Sequence, residues 1–134
     1  MDNKTREIKF RAWNENTKGY CYDAQNAYDT LGWSKEQSKH GYPAQSFGHF
    51  FNDDFFVVEQ YTGLKDKNGK EIYEGDIVKW DVNDTTVTAP VGFEHGAFWM
   101  LEAINKNYGN VYNDWGRGEY EVIGNVHEHS ELLK

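Results

Sequence analysis

Apolar and polar residues alternate over several short stretches of the chain, with the period of two that is typical of half-buried β-strands. The first stretch, residues 8–13, is followed by turn-forming residues at 14–19 and a second stretch at 20–23, which predicts a hairpin with a longer loop. Further strands are predicted at 55–61, 77–82, 86–93, 97–104 and 119–128. Short strands separated by glycine-containing turns indicate a mainly β fold, a small barrel or roll of antiparallel strands.

Two tight turns divide the central part of the chain. Asn68-Gly69 predicts a type I′ hairpin turn, in which both central residues need a positive φ. Glu74-Gly75-Asp76 predicts a second turn, in which Gly75 adopts a backbone conformation that other residues resist. Asp76 is expected to accept backbone N–H groups there. We therefore interpret Asn68, Gly69, Gly75 and Asp76 as structural turn residues.

Residues 21–54 differ in composition from the rest of the chain. They contain one large aliphatic residue, Leu31, and seven aromatic residues, and Ser34 to Gln37 has the spacing of a helix capping box. Because this stretch has no apolar stripe, it predicts an irregular, partly helical excursion. Trp, Tyr and Phe make up 16% of the whole chain, enough large rings to build a core with few aliphatic residues. We predict a single domain, residues 1–134, with the barrel core at 55–128.

The charge of the chain is acidic and uneven. Fourteen Lys and Arg stand against 22 Asp and Glu, a net charge of −8, although residues 1–20 carry five basic and three acidic side chains. An acidic body repels a phosphate backbone, so we expect no nucleic-acid partner. The chain has no apolar run of membrane length, no signal-peptide core and one cysteine, Cys21. These features predict a cytoplasmic protein with no internal disulfide and no membrane contact.

Candidate chemistry is sparse. The sequence has no phosphate-binding Gly-Lys-Ser/Thr loop, no Gly-x-Ser-x-Gly elbow and no His-Glu-x-x-His motif. His127 and His129 would need His95 or Glu94 to complete a metal site, so we favour a solvated strand end. Cys21 has no adjacent base and is interpreted as structural. Two carboxylate pairs lie at predicted strand ends, Asp53 with Asp54 and Asp81 with Asp84. We predict no catalytic residue, no cofactor, no metal site and no enzymatic activity.

Five segments together carry a family resemblance. They are residues 6–13, 60–78, 91–98, 121–128 and 131–133, of which 60–78, QYTGLKDKNGKEIYEGDIV, is the most specific. In order and spacing they resemble the YopX-like phage protein family, whereas residues 21–54 match poorly. In the tail, His129-Ser130 stand where the family has Asn-Pro. The resemblance implies a phage or prophage protein of Gram-positive bacteria, an SH3-like barrel core and self-association. It supplies no reaction and no catalytic residue.

The leading hypothesis is a non-enzymatic phage or prophage accessory protein that self-associates and binds a protein partner. The aromatic residues of the 21–54 excursion exceed what strand periodicity can bury, and a closed oligomer would cover exposed rings. The expected interface anchors are Trp33, Tyr42, Phe47 and Phe50.

Two alternatives stay open. The first is a single-stranded nucleic-acid binding protein that uses exposed aromatic rings and the basic N-terminal residues Lys4, Arg6, Lys9 and Arg11. The second is a hydrolase with carboxylates in a cleft between subunits. Rings bordered by Lys and Arg favour nucleic acid, and rings bordered by Asp and Glu favour a protein interface.

Overall fold

The structure is a computed structural model that describes residues 6–26, 47–52, 54–82, 84–94, 96–101, 111–112 and 119–133. The chain forms two compact units, Met1–Gln60 and Tyr61–Lys134. The predicted grouping of the whole chain into a single domain stays a prediction.

The first unit contains an antiparallel sheet. β1 (Phe10–Asn14) lies between β2 (Gly19–Tyr22) and the first half of β3 (Phe56–Lys65). The predicted hairpin at the start of the chain is therefore present, and β3 runs four residues beyond the predicted end of its strand. The unit also has a short α-helix, α1 (Phe47–Asn52), and a 3-10 turn at Ala24–Asn26.

One face of β1 packs into the hydrophobic core of the first unit. Ala12 is directly opposite Cys21 of β2 and Val58 of β3, and its small side chain at the centre of the sheet leaves room for aromatic rings. The buried members of this core are Ala12, Ala24, Phe50 and Phe56, and the side chains of Phe10, Cys21, Phe47 and Val58 pack against them.

In the second unit, the end of β3 pairs with β4 (Glu71–Tyr73). The strands that follow β4 form a separate five-stranded antiparallel sheet. The strands of this sheet are β5 (Asp76–Val82), β6 (Thr85–Glu94), β7 (Ala97–Leu101), β8 (Val111–Tyr112) and β9 (Glu121–Asn125). Their order is β8-β7-β6-β5-β9. A 3-10 turn, Ser130–Leu133, follows β9.

The core of the second unit lies on the central strands of this sheet. Its buried members are Ile72, Val78, Trp80, Ala89, Val91, Met100 and Tyr120. Pro90 of β6 is opposite Ile77 of β5, and the pairing of β6 with β7 begins one residue later, at Val91. The pairing of β6 with β7 therefore does not include Pro90, which has no N–H group to donate.

These two antiparallel sheets of short strands, with few helices, confirm the predicted mainly β class and are consistent with a small all-β barrel or roll. Within the part of the chain that the structure describes, no helix is long and apolar enough to cross a membrane.

Candidate protein-interaction surface

The β3–β4 hairpin is organised by the carboxylate of Asp66. Its Oδ1 accepts the backbone N–H groups of Asn68 at 2.8 Å and Lys70 at 2.9 Å, and its Oδ2 accepts the N–H of Val122 at 3.0 Å. One buried side chain therefore closes the hairpin and ties it to β9. Since both oxygens are directed at backbone groups, Asp66 has a structural role in this turn.

The predicted type I′ geometry of this hairpin is wrong. Gly69 has a φ of 84°, but Asn68 is not among the residues with positive φ. The Gly69 N–H donates to the carbonyl of Asp66 at 3.0 Å, and the Asp66 N–H donates to the carbonyl of Lys70 at 2.7 Å. This is the pattern of a type I turn followed by a left-handed glycine. Aspartate at the first position favours the type I turn, because its side chain caps the N–H groups that follow.

The same contacts set the charge state of Asp66. Burial by itself raises the pKa of this carboxyl, but the N–H groups of Val122, Lys70 and Asn68 and the positive charge of Lys70 outweigh it. The net effect is a pKa below the ordinary value of 3.8. Hydrogen bonds to the ionised form are the cause, since they are lost when the carboxylate is protonated.

The second turn joins β4 to β5 and is tied to two other segments. Gly75 has a φ of 84°, its N–H donates to Val91 at 2.9 Å, and its carbonyl accepts the N–H of Val126 at 2.8 Å. The Asp76 Oδ2 accepts the N–H of Tyr73 at 2.8 Å. The side chain of Asp76 is buried and bonded to backbone, so its position is that of a turn-stabilising residue.

A buried ion pair in the first unit was not anticipated from the sequence. The Arg11 Nε lies 2.8 Å from the Glu59 Oε1, and the two residues are 3% and 4% exposed. The Tyr20 hydroxyl donates to the same oxygen at 2.9 Å, and the Arg11 guanidinium lies 4.0 Å from the centre of the Tyr20 ring. The β1–β3 register places Arg11 opposite Glu59, so the pairing is a cross-strand one.

This pair removes one of the basic residues that nucleic-acid binding would need. Arg11 is buried with its counter-charge, and the Lys9 Nζ lies 2.9 Å from the carboxylate of Glu7. Arg6 is exposed, whereas Lys4 lies outside the described residues. Among residues 6–11, which the structure describes, Arg11 is therefore not available to a phosphate, and Lys9 lies beside an acid.

The predicted interface anchors lie in different environments. Trp33 and Tyr42 lie outside the described residues. Phe50 is 5% exposed and packs edge-on against Phe56, with ring centroids 4.8 Å apart, so it is a core residue of its own unit and not an exposed anchor. Phe47 is half-buried, and it is the one described anchor with surface left to offer.

The sequence analysis missed Phe51, whose side chain is 60% exposed. Its ring lies 4.9 Å from that of Phe47, and Phe47 lies 4.8 Å from Phe10 of β1. These three rings form a continuous series from the sheet to the surface, which we call the aromatic strip. The i, i+4 spacing of Phe47 and Phe51 was visible in the sequence, but only the phase of α1 decides which phenylalanine is buried.

Of the candidate metal and nucleophile residues, His95 lies outside the described residues, and those that the structure describes are not brought into a site. The strand predicted at 119–128 ends earlier than expected, because β9 ends at Asn125 and a turn follows, so His127 and His129 do not lie on a strand. In that turn Asn125 accepts the N–H groups of His127 and Glu128 through its side chain, and its own N–H donates to the His129 Nδ1 at 3.1 Å. Among the described residues, no group of three or more His, Cys, Asp or Glu could hold a metal ion. Cys21, half-buried in β2, packs against the core of the first unit.

The carboxylate pairs are split between the surface and the undescribed residues. Asp54, Asp81 and Asp84 are exposed, and Asp53 lies outside the described residues. The Asp81 carboxylate accepts the hydroxyl proton of Thr86 at 2.7 Å across the β5–β6 hairpin. This contact is the one expected of a solvated strand end.

Comparison with known proteins agrees with the sequence motifs. The sequence model of the YopX protein family matches residues 9–134. The crystal structure of protein EF1440 from Enterococcus faecalis superposes with a TM-score of 0.58 at 30% sequence identity, over 97% of this chain and 100% of that chain. No curated protein matches the sequence. The resemblance predicted from the motifs is therefore confirmed, and the chain belongs to the YopX family.

Proposed function

We propose that this YopX-family chain is a non-enzymatic phage accessory protein of the bacterial cytoplasm that self-associates and binds a protein partner. The observation that carries the proposal is the uneven placement of exposed apolar side chains. Of the eight large apolar side chains that are exposed among the described residues, five lie in the first unit, although fewer of its residues are described. They are Ile8, Tyr22, Phe51, Phe55 and Val57.

Exposed apolar surface of this kind is expected to be buried by another protein surface. Scattered single side chains are normal on a protein surface, but a concentration of large ones marks an interaction site. A net charge of −8 keeps the chain soluble and repels other copies over most of the surface. Association is therefore expected to be confined to the apolar part of the first unit, and a closed symmetric assembly would bury it without open-ended growth.

The geometry gives less support to the two alternatives. Nucleic-acid binding would need surface cations, but Arg11 forms a buried ion pair with Glu59 and Lys9 is paired with Glu7. Hydrolysis needs a carboxylate whose oxygens can reach a substrate. The buried carboxylates Asp66 and Asp76 instead bind backbone N–H groups.

Multi-angle light scattering on the purified protein tests the proposal. The expected result is a mass that is a multiple of 15.6 kDa and that decreases on dilution. Association through apolar surface should persist at about 0.5 M NaCl, because salt screens the repulsion between acidic copies without weakening apolar contacts. A mass of 15.6 kDa at every concentration up to the solubility limit would overturn self-association.

A further inference from the structure

We infer that the aromatic strip, Phe10, Phe47 and Phe51, together with Ile8, is the face through which two copies of this chain contact each other. This inference rests on the proposed self-association and assigns it a surface and an occupant. It differs from the predicted interface, because it replaces the buried Phe50 with Phe51.

The strip packs on the core beneath it. The Phe50 ring is buried against Phe56, and this contact fixes the orientation of α1. Phe51 follows Phe50 directly and is therefore directed outward, with its ring packed at 73° against Phe47. An aromatic side chain that is already ordered loses little conformational entropy on binding, which is typical of the residues that dominate interface energies.

Exposure along the strip increases away from the core. Phe10 and Phe47 are half-buried, and Phe51 is 60% exposed. Ile8 is 48% exposed and lies two residues before Phe10 in the chain. Among the described residues of the first unit, none covers the apolar centre of the strip completely.

Charge favours a second copy as the occupant. The segment beside the strip carries both signs, with Arg6 exposed and Lys9 paired with Glu7 at 2.9 Å. In a two-fold contact, the patch of one copy packs antiparallel to the same patch of the other copy. An acidic side chain of one copy can then lie opposite a basic side chain of the other. Residues 1–60 carry seven basic and nine acidic side chains, whereas residues 61–134 carry seven and thirteen. The second unit therefore repels another copy more strongly than the first.

The second unit contains a closely matched pair of rings that serves as the control. Phe93 is 50% exposed and packs against Phe98 with centroids 5.0 Å apart at 72°, whereas Phe51 packs against Phe47 at 4.9 Å and 73°. Phe51→Ser and Phe93→Ser therefore remove the same side chain from nearly the same intramolecular contact. They differ in which unit carries the ring.

The experiment compares the two variants with the parent by light scattering and sedimentation over a concentration series. Phe51→Ser should weaken self-association at least tenfold, as expected of an interface hot spot, and Phe93→Ser should leave it unchanged. Thermal melting of both variants checks that the fold is kept, and Ile8→Ser replaces Phe51→Ser if the latter does not fold.

The outcomes separate the inference from the proposal beneath it. Equal association of the parent and Phe51→Ser overturns the aromatic strip and leaves self-association standing. Equal weakening by Phe51→Ser and Phe93→Ser also overturns the strip, because the effect is then not specific to it. A monomeric parent overturns both.

Discussion

Gly69 has a φ of 84°, and apart from its own residue and its two chain neighbours no heavy atom lies within 4 Å of the position that a Cβ would occupy there. The penalty for a side chain at Gly69 therefore comes from the backbone alone. Gly69→Val should lower the free energy of unfolding by about 1–3 kcal/mol, because a β-branched residue resists positive φ. Gly19 provides the matched control, since it has equally open surroundings and no left-handed φ. Chemical denaturation measures both, and a Gly69→Val protein as stable as Gly19→Val would exclude the left-handed turn.

At Gly124, in contrast, a side chain is disfavoured by the lack of space and not by the backbone conformation. A Cβ on Gly124 would lie 2.7–2.9 Å from three atoms of His129, whose position is fixed by the Asn125 N–H. Gly124→Ala should therefore cost about 1–3 kcal/mol of stability through overpacking. The cost should fall when His129→Ala is introduced as well, and a double-mutant cycle measures this coupling. Additive effects of the two changes would show that the ring does not lie over Gly124.

At the level of elements, Asp66 connects the β3–β4 hairpin with β9. Because its pKa is lowered in the folded state, its contribution to stability is complete above the ordinary value of 3.8 and is lost as the pH falls through the lowered pKa. Asp66→Asn should cost about 1.5–3 kcal/mol at pH 7, since it replaces charged hydrogen bonds to the backbone. The difference between parent and variant should shrink below pH 4.

Urea denaturation at pH 7 and at pH 3 measures this dependence on Asp66. Asp54→Asn is the control, because Asp54 is exposed and precedes β3 without closing a hairpin. A difference between the parent and Asp66→Asn that is equal at both pH values would contradict the role of the ionised carboxylate.

Most strands of both units could be predicted from alternating or continuous apolar stretches, although the two-residue β8 was not predicted. The contacts between distant segments could not be predicted. The turn at Asn68-Gly69 was assigned to the wrong type because the carboxylate that shapes it also binds Val122, which is 56 residues away. Arg11 has the pattern of a polar residue on a solvated strand face, and only the β1–β3 register reveals Glu59 opposite it. In α1, six residues are too few for a periodicity that separates Phe50 from Phe51.

The most specific of the motifs that indicated the family also contains the residues that form the two central turns. The segment at 60–78 contains Asp66, Gly69, Gly75 and Asp76, whose backbone conformations and hydrogen bonds join β3, β4, β5 and β9. Its specificity as a sequence signature thus has a structural cause. The interaction surface proposed here lies instead on α1 and β1, and α1 lies outside the five motif segments.

At the scale of the whole molecule, charge decides the expected response to nucleic acid. The net charge is −8, and sequence-independent affinity for a phosphate backbone comes from released counterions at surface cations. Of the three described basic residues at 6–11, Lys9 and Arg11 are paired with acids, and Arg11 is buried. Fluorescence anisotropy with a labelled single-stranded oligonucleotide at physiological salt should show a Kd weaker than about 100 μM. Arg11→Gln should leave this weak signal unchanged, because Arg11 is buried. If Arg11 contacted a phosphate at the surface, the same substitution would reduce the signal. Submicromolar binding that weakens steeply with salt would contradict the protein-interaction proposal and favour the nucleic-acid alternative.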